Sequence, residues 1–148
     1  MSDQESENLV TFVEVSTLRV GSYIVHNERP CRITEINVSK TGKHGAAKAV
    51  MTMKDIFTGS KHCTTYSTGE KVQAPVIQIK EYTLVDIDDE EMTVMNDAGD
   101  TNTHKTGKHE LSRQLELDIL SEFEKGKTIE VKIMFAMNDY AVQSFIPK

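Results

Sequence analysis

Only one stretch of this 148-residue chain carries helical periodicity. In "HELSRQLELDILSEFEKGK", Leu111, Leu115, Ile119 and Phe123 recur every fourth residue, with Leu120 beside them and Gly126 close behind. That spacing lays an apolar stripe along one helix and ends it near the glycine. Elsewhere the apolar residues alternate, or form short runs bounded by Gly, Pro, Asn and Ser, which is the pattern of strands and turns. A chain of this kind is mainly β with one helix. Two small β-barrels, the second carrying the helix, account for the lengths and the pattern, and a single larger β-sandwich is the alternative.

The strand signals follow in order. "SYIVHNERPCRITEINVSK" has two short apolar stretches about a turn-like "HNERP" that contains Pro30. In "CRITEINV", strict alternation puts Cys31, Ile33, Glu35 and Asn37 on one face and Arg32, Thr34, Ile36 and Val38 on the other. "AAKAVMTMKDIF" reads as the next strand, so the intervening "SKTGKHGA" becomes the tip of a long hairpin. "TGSKHCTTYSTGEKVQAP" reads as turns and short strands, and "VIQIKEYTLVDID" as an alternating strand. "EEMTVMNDAGDTNTHKTG" gives a strand, a turn and a polar loop, and "TIEVKIMFAMNDYAVQSFIPK" gives strands about "MND". Residues 1–16 are polar and acidic and read as a flexible lead-in, and the natural cut falls near residue 83. The expected modules are therefore 17–83 and 84–148.

Charge separates these segments. The lead-in carries four acids and no bases, residues 17–83 carry ten Lys or Arg against five Asp or Glu, and residues 84–148 carry seven against fourteen. The net charge of −6 thus hides a basic module between two acidic segments, a sign asymmetry that points to a polyanionic partner for the middle one. No apolar run approaches the ~18 residues of a membrane span. The acidic start is unlike a secretory signal, so Cys31 and Cys63 are expected as reduced thiols.

The core of the hairpin tip recurs: "KTGKHG" spans Lys40–Gly45 and "KTGKHE" spans Lys105–Glu110. Neither copy is a phosphate-cradling P-loop. That motif needs glycine five residues before Gly42 or Gly107, where Asn37 and Asn102 stand, and a hydroxyl after the lysine, where His44 and His109 stand. Zinc needs clustered ligands, whereas His26, Cys31, His44, His62 and Cys63 are scattered. Adjacent His62 and Cys63 would point to opposite faces of a strand, and His104 and His109 read as solvated residues ahead of the helix. Asp88, Asp89, Glu90 and Glu91 form an acidic run, which reads as a solvated face. No metal site and no catalytic constellation is expected, so the chain is not read as an enzyme.

The first copy differs in context. Lys43 is bracketed by Gly42 and Gly45, which permit a sharp turn, Lys40 and Lys48 add charge, and no large apolar side chain lies between Val38 and Val50. An exposed basic arm suits reaching into a polyanion or entering a modifying enzyme. In the second copy Glu110 replaces the closing glycine and the helix begins at once, so it reads as a loop and helix lead-in. From the residues alone the chain is a two-module β protein with an exposed basic loop, and RNA binding is one use of it.

"SKTGKHGAAK" resembles the modification loop of the eukaryotic and archaeal translation initiation factor 5A family, the hypusine-containing factors. "STLRVGSYIVHNERPCRITEINVSKTGKHG" is similar to the family's opening, "DIFTGSKH" to its "DIFTGKK" segment, "APVIQIKEYTLVDID" to its crossing between domains and "MNDAGD" to a characteristic turn. The likeness covers residues 16–148. Many members carry His where this chain has Ala46, and Met51 and Met53 give an unusual strand texture. The resemblance implies an N-terminal SH3-like barrel followed by an OB-fold. It implies that Lys43 receives an aminobutyl group from spermidine and is hydroxylated to hypusine, by deoxyhypusine synthase and deoxyhypusine hydroxylase, with no other cofactor. Lys40, Thr41, Gly42, His44, Gly45 and Lys48 match the flanking recognition residues. It also implies binding to the ribosome beside the CCA end of peptidyl-tRNA, relief of stalling at proline-rich sequences, help in termination, and a cytoplasmic location with a nuclear pool left open. The alternative is a general RNA-binding OB-fold protein whose loop lysine acts unmodified.

Overall fold

The computed structural model describes residues 9–40 and 47–148. Among the described residues, eleven strands and one α-helix form two compact units, the first running to Val76 and taking in Ala136–Asn138, the second made of Ile77–Phe135 and Asp139–Lys148. The first unit contains β1 (Val10–Glu14), β2 (Tyr23–His26), β3 (Arg29–Lys40), β4 (Ala47–Asp55), β5 (Lys61–Ser67) and β6 (Lys71–Pro75). β2-β3-β4-β5 is one antiparallel sheet, and β1 pairs with β6 as a separate ribbon. The second unit contains β7 (Gln78–Ile87), β8 (Glu91–Met95), β9 (Thr101–Lys105), α1 (Arg113–Glu124), β10 (Ile129–Ala136) and β11 (Asp139–Pro147), with sheet order β11-β10-β7-β8-β9.

The fold is mainly β with one helix, as the patterning requires. The sheets differ from the expected barrels: among the described residues both are open ladders whose outer strands are not hydrogen-bonded to each other. In the first unit the sheet nevertheless curls, for His26 on β2 and His62 on β5, its two outer strands, have ring centroids 4.8 Å apart.

Two bulges explain why the alternation in the sequence is imperfect. The β3–β4 register runs Ile33↔Met53, Glu35↔Thr52, Ile36↔Met51, so Thr34 is an extra residue. An extra residue reverses the parity of everything after it. Ile33 and Ile36 therefore face the same core as Met53 and Met51, and the strict face assignment beyond Thr34 is corrected. β7 repeats the device: Leu84↔Val94 and Ile87↔Met92 both point inward, while Val85 is the extra residue and is exposed. Met51 and Met53 are fully buried, their flexible side chains filling the first core beside Ile24, Cys31, Ile33 and Ala49.

The turns follow their chemistry. Asn27-Glu28 and Met137-Asn138 join strands as two-residue turns with positive φ throughout, the conformation matched to strand twist. In "MNDAGD" the Asn96 side chain accepts from the Ala98 and Asp100 amides, and Gly99 takes a φ of +88°. After β4, buried Asp55 accepts from the Phe57 and Thr58 amides and from Arg29 Nε at 2.8 Å. Burial alone would raise its carboxyl; the Arg29 and amide hydrogen bonds with the Arg29 charge outweigh that and hold it below its ordinary value.

Three further details depart from the sequence reading. The lead-in is shorter than 16 residues, because Val10–Glu14 forms β1 against β6 and Val15 is buried in the core. Residue 83 lies inside β7, an unbroken strand of the second unit, so strand pairing divides the chain earlier than the charge pattern does. The helix buries Ile119 and packs Leu115, Leu120 and Phe123 on the sheet, and its end is closed by the Gly126 amide on the Phe123 carbonyl. Leu111 falls in a 3-10 turn before it and is exposed. Met53→Ala is expected to destabilise the first unit by roughly 2–5 kcal/mol, and Val85→Ala on the second bulge to cost about 0.5 kcal/mol or less; urea midpoints of the two variants check the contrast.

Candidate functional site

β3 and β4 pair in register out to Lys40↔Ala47. Beyond half-buried Ile36, the β3 residues Asn37, Val38, Ser39 and Lys40 are all exposed. At about 3.3 Å per residue, the hairpin runs about 13 Å past the last packed side chain of β3. β5 braces it from the side. Lys48 lies between Ser39 and Ser67 in the ladder, its Nζ donates to Ser67 Oγ at 3.1 Å, and the Thr68 amide donates to the Ala47 carbonyl at 3.0 Å. The expected long hairpin is therefore present, on a three-strand base. Of the flanking lysines, Lys40 is exposed and Lys48 is tied to β5. Thr41, Gly42, Lys43, His44 and Gly45 lie outside the described residues.

The second copy is built into the second unit at every position. Thr106 is buried and its hydroxyl donates to the Asp88 carbonyl. Gly107 takes a φ of +72°, and its amide donates to Glu116 Oε1 at 2.7 Å. Lys108 Nζ lies 2.9 Å from Asp139 Oδ1 and 4.4 Å from the centre of the Tyr140 ring. His109 Nε2 lies 2.8 Å from the same Asp139 oxygen and the side chain is only 10% exposed, so the solvated reading of His109 is corrected. Lys108 is thus consumed by packing on its own unit. Asp139 and Tyr140, which hold it there, are about thirty residues further along the chain, and no spacing rule joins them to it.

His104 is likewise not solvated. It packs against Tyr140 and Phe135, with ring centroids 4.9 and 5.8 Å away, and its Nε2 is buried with no partner among the described residues. Burial disfavours the imidazolium and lowers its pKa.

Nothing in the described residues assembles a reaction centre. No three His, Cys, Asp or Glu side chains are grouped to hold a metal ion. Cys31 is a core thiol whose burial, with the nearby Asp55 charge, pushes its pKa up to about 11, which leaves it a poor nucleophile or ligand. Cys63 is free and exposed. A cleft of about 540 Å³ is lined by Asp89, Glu90, Glu91, Lys105 and Arg113 among others, with no Cys, His or Ser in its wall. Among the described residues, no helix is long and apolar enough to cross a membrane.

The architecture defines a class: a two-unit β protein whose first unit projects a braced hairpin on either side of a Gly-Lys-His-Gly sequence. Comparison with known proteins narrows it. The profile described as "Translation initiation factor 5A-like, N-terminal" matches residues 10–70, and "Eukaryotic elongation factor 5A hypusine, DNA-binding OB fold" matches residues 76–145. The chain is 38% identical to eukaryotic translation initiation factor 5A-1 of Saccharomyces cerevisiae over 90% of its length and 83% of that protein. It is 30% identical to the Trypanosoma brucei brucei factor 5A over 98% of its length and 96% of that protein. A translation initiation factor 5A family structure from Naegleria fowleri superposes with a TM-score of 0.85 at 33% identity, covering 93% of this chain and 98% of that one. The factor 5A structure from Methanococcus jannaschii superposes at 0.71 and 26% identity, covering 93% and 95%. The chain belongs to the translation initiation factor 5A family, hypusine-containing translation factors that are not enzymes, with an OB-fold as its second unit.

His104 links stability to pH. With its folded pKa below the unfolded value, its stabilising effect is complete above about 6.5 and is lost as pH falls through and below that value. Second-unit stability should therefore drop as pH falls below about 6.5, and His104→Phe, which keeps a ring against Phe135 and Tyr140, should flatten the profile in urea titrations; an unchanged slope would contradict the assignment.

Proposed function

We propose that the chain acts on the ribosome through a hypusine at Lys43. The observation that carries this is the contrast between the two copies of Thr-Gly-Lys-His. The first joins the ends of a braced hairpin whose outer residues are exposed. In the second, all four residues are spent on contacts within the second unit. Spermidine supplies the aminobutyl group, deoxyhypusine synthase attaches it and deoxyhypusine hydroxylase completes it, with Lys40, Thr41, Gly42, His44, Gly45 and Lys48 as the recognition segment. The first unit would be the SH3-like barrel, its open sheet curled until His26 meets His62.

Modification lengthens the arm and adds an amine. Laid along the CCA end of peptidyl-tRNA, it would steady the acceptor for peptide-bond formation at proline-rich and other stalled sites and assist termination. That is positioning and not chemistry by the factor. The setting is the cytoplasm, where ribosomes work. The family profile over residues 76–145 names a DNA-binding OB-fold, but the excess of acids over bases after residue 83 opposes a strong generic grip on nucleic acid by that unit.

Arginine keeps the charge of lysine but cannot be aminobutylated. Lys43→Arg is therefore expected to fail in a growth-rescue assay, whereas an unmodified RNA-binding loop would tolerate it; full rescue would sink the hypusine reading. Lys108→Arg is expected to retain spermidine-derived label, and loss of label in a folded Lys108→Arg protein would overturn the choice between the copies.

A further inference from the structure

The outer face of the β2-β3-β4-β5 sheet carries an arrangement that the hairpin does not use. Arg32 stands between buried Cys31 and Ile33, and Lys54 between buried Met53 and Asp55, so both point outward. The registers set Tyr23 opposite Arg32, Arg32 opposite Lys54, and Lys54 opposite Lys61. One straight row thus crosses four strands, and its three cations are exposed. With strands about 4.8 Å apart, the backbone positions of the three cations fall within about 10 Å. None forms an ion pair with a carboxylate among the described residues. Glu35, the acid further along the same face of β3, accepts instead from Asn37 Nδ2 at 3.4 Å.

Like charges directly opposite each other weaken a sheet. Three in succession, with Glu35 on the adjacent row as the one acid beside them, therefore weaken the sheet, and a bound polyanion would compensate them. The rest of this face favours phosphate over a protein partner. Thr52, Thr65 and Ser67 supply hydroxyls on the following rows, the group that joins Arg and Lys on phosphate oxygens. A protein interface is built on an apolar or aromatic centre, and Val50 is the one large apolar side chain on those rows.

We propose that the Arg32–Lys54–Lys61 row binds the phosphate backbone of RNA, as a contact separate from the hairpin end. The row is placed by register alone and does not require Lys43 to be modified. RNA is the polyanion of choice because the family works in translation. Lys48 lies on the same face six residues up β4, about 20 Å from the row, so the contact would run along the sheet toward the hairpin end.

The test uses the full chain with bare Lys43, a labelled RNA hairpin and a series of salt concentrations. Arg32→Gln/Lys54→Gln/Lys61→Gln is expected to weaken binding and to make the log–log salt slope shallower by about 2 to 3, the share of three phosphate contacts. Its melting temperature should stay the same or rise, because repulsion has been removed. Single Lys54→Gln and Lys61→Gln variants should each shift the slope by about 0.7–0.9, which keeps the test open if the triple variant folds poorly. Unchanged affinity and slope in the variants would overturn the proposal, as would equally tight binding of polyglutamate, which would make the face a generic or protein-directed acid binder. Lys43→Arg should bind the RNA hairpin like the parent chain, so failure of the hypusine reading and failure of this one are separate results.

Discussion

Cross-strand packing between β3 and β4 is the constraint on which the first unit rests. Ile33 faces Met53 and Ile36 faces Met51 across one ladder, and the four side chains supply much of that core. The same ladder continues past the core to Lys40↔Ala47. Core and projecting arm are thus one pair of strands, and motion at the base of the arm would disturb buried methionines. The bulge at Thr34 lets a single strand serve both purposes, since it restores Ile36 to the core after the parity would have turned it outward. The outer row of cations follows from this ladder too, because the register that brings the methionines together on one face aligns Arg32 with Lys54 on the other.

The two Thr-Gly-Lys-His copies show how context sets the use of a motif. Four identical residues in the second unit become a fastening. Its lysine and histidine converge on one buried Asp139 oxygen, and its glycine takes the left-handed turn that brings its amide to Glu116. A buried carboxylate receiving two such donors offsets its own desolvation cost and holds the lysine, still partly exposed, against its own unit. In the first unit the corresponding lysine follows a strand whose last four described residues are exposed.

Much of this was legible in the sequence, and the losses have physical causes. The helix, the long hairpin and the turns at "HNERP", "MND" and "MNDAGD" were readable because periodicity and turn residues act locally. β1 was missed because "VTFVE" in an acidic lead-in looks like flexible chain until β6 is there to pair with it. Strict alternation failed in "CRITEINV" because one bulged residue shifts every later side chain, and no residue type announces it. His104 and His109 looked solvated because their surroundings, Tyr140, Phe135 and Asp139, come from strands thirty residues and more away. The family resemblance rests on short ordered segments, and it located the candidate lysine where residue physics alone offered a basic loop. The row of cations was invisible from charge counts, because it exists only once the strand register is known.

The central claim is that Lys43 is the modified residue. The most direct measurement is the mass of the Lys43 peptide from protein purified out of its own cells. An aminobutyl or hydroxy-aminobutyl addition on Lys43, with Lys108 unmodified, is the predicted result. A bare Lys43 in native material would contradict the account and leave the loop acting as an unmodified lysine.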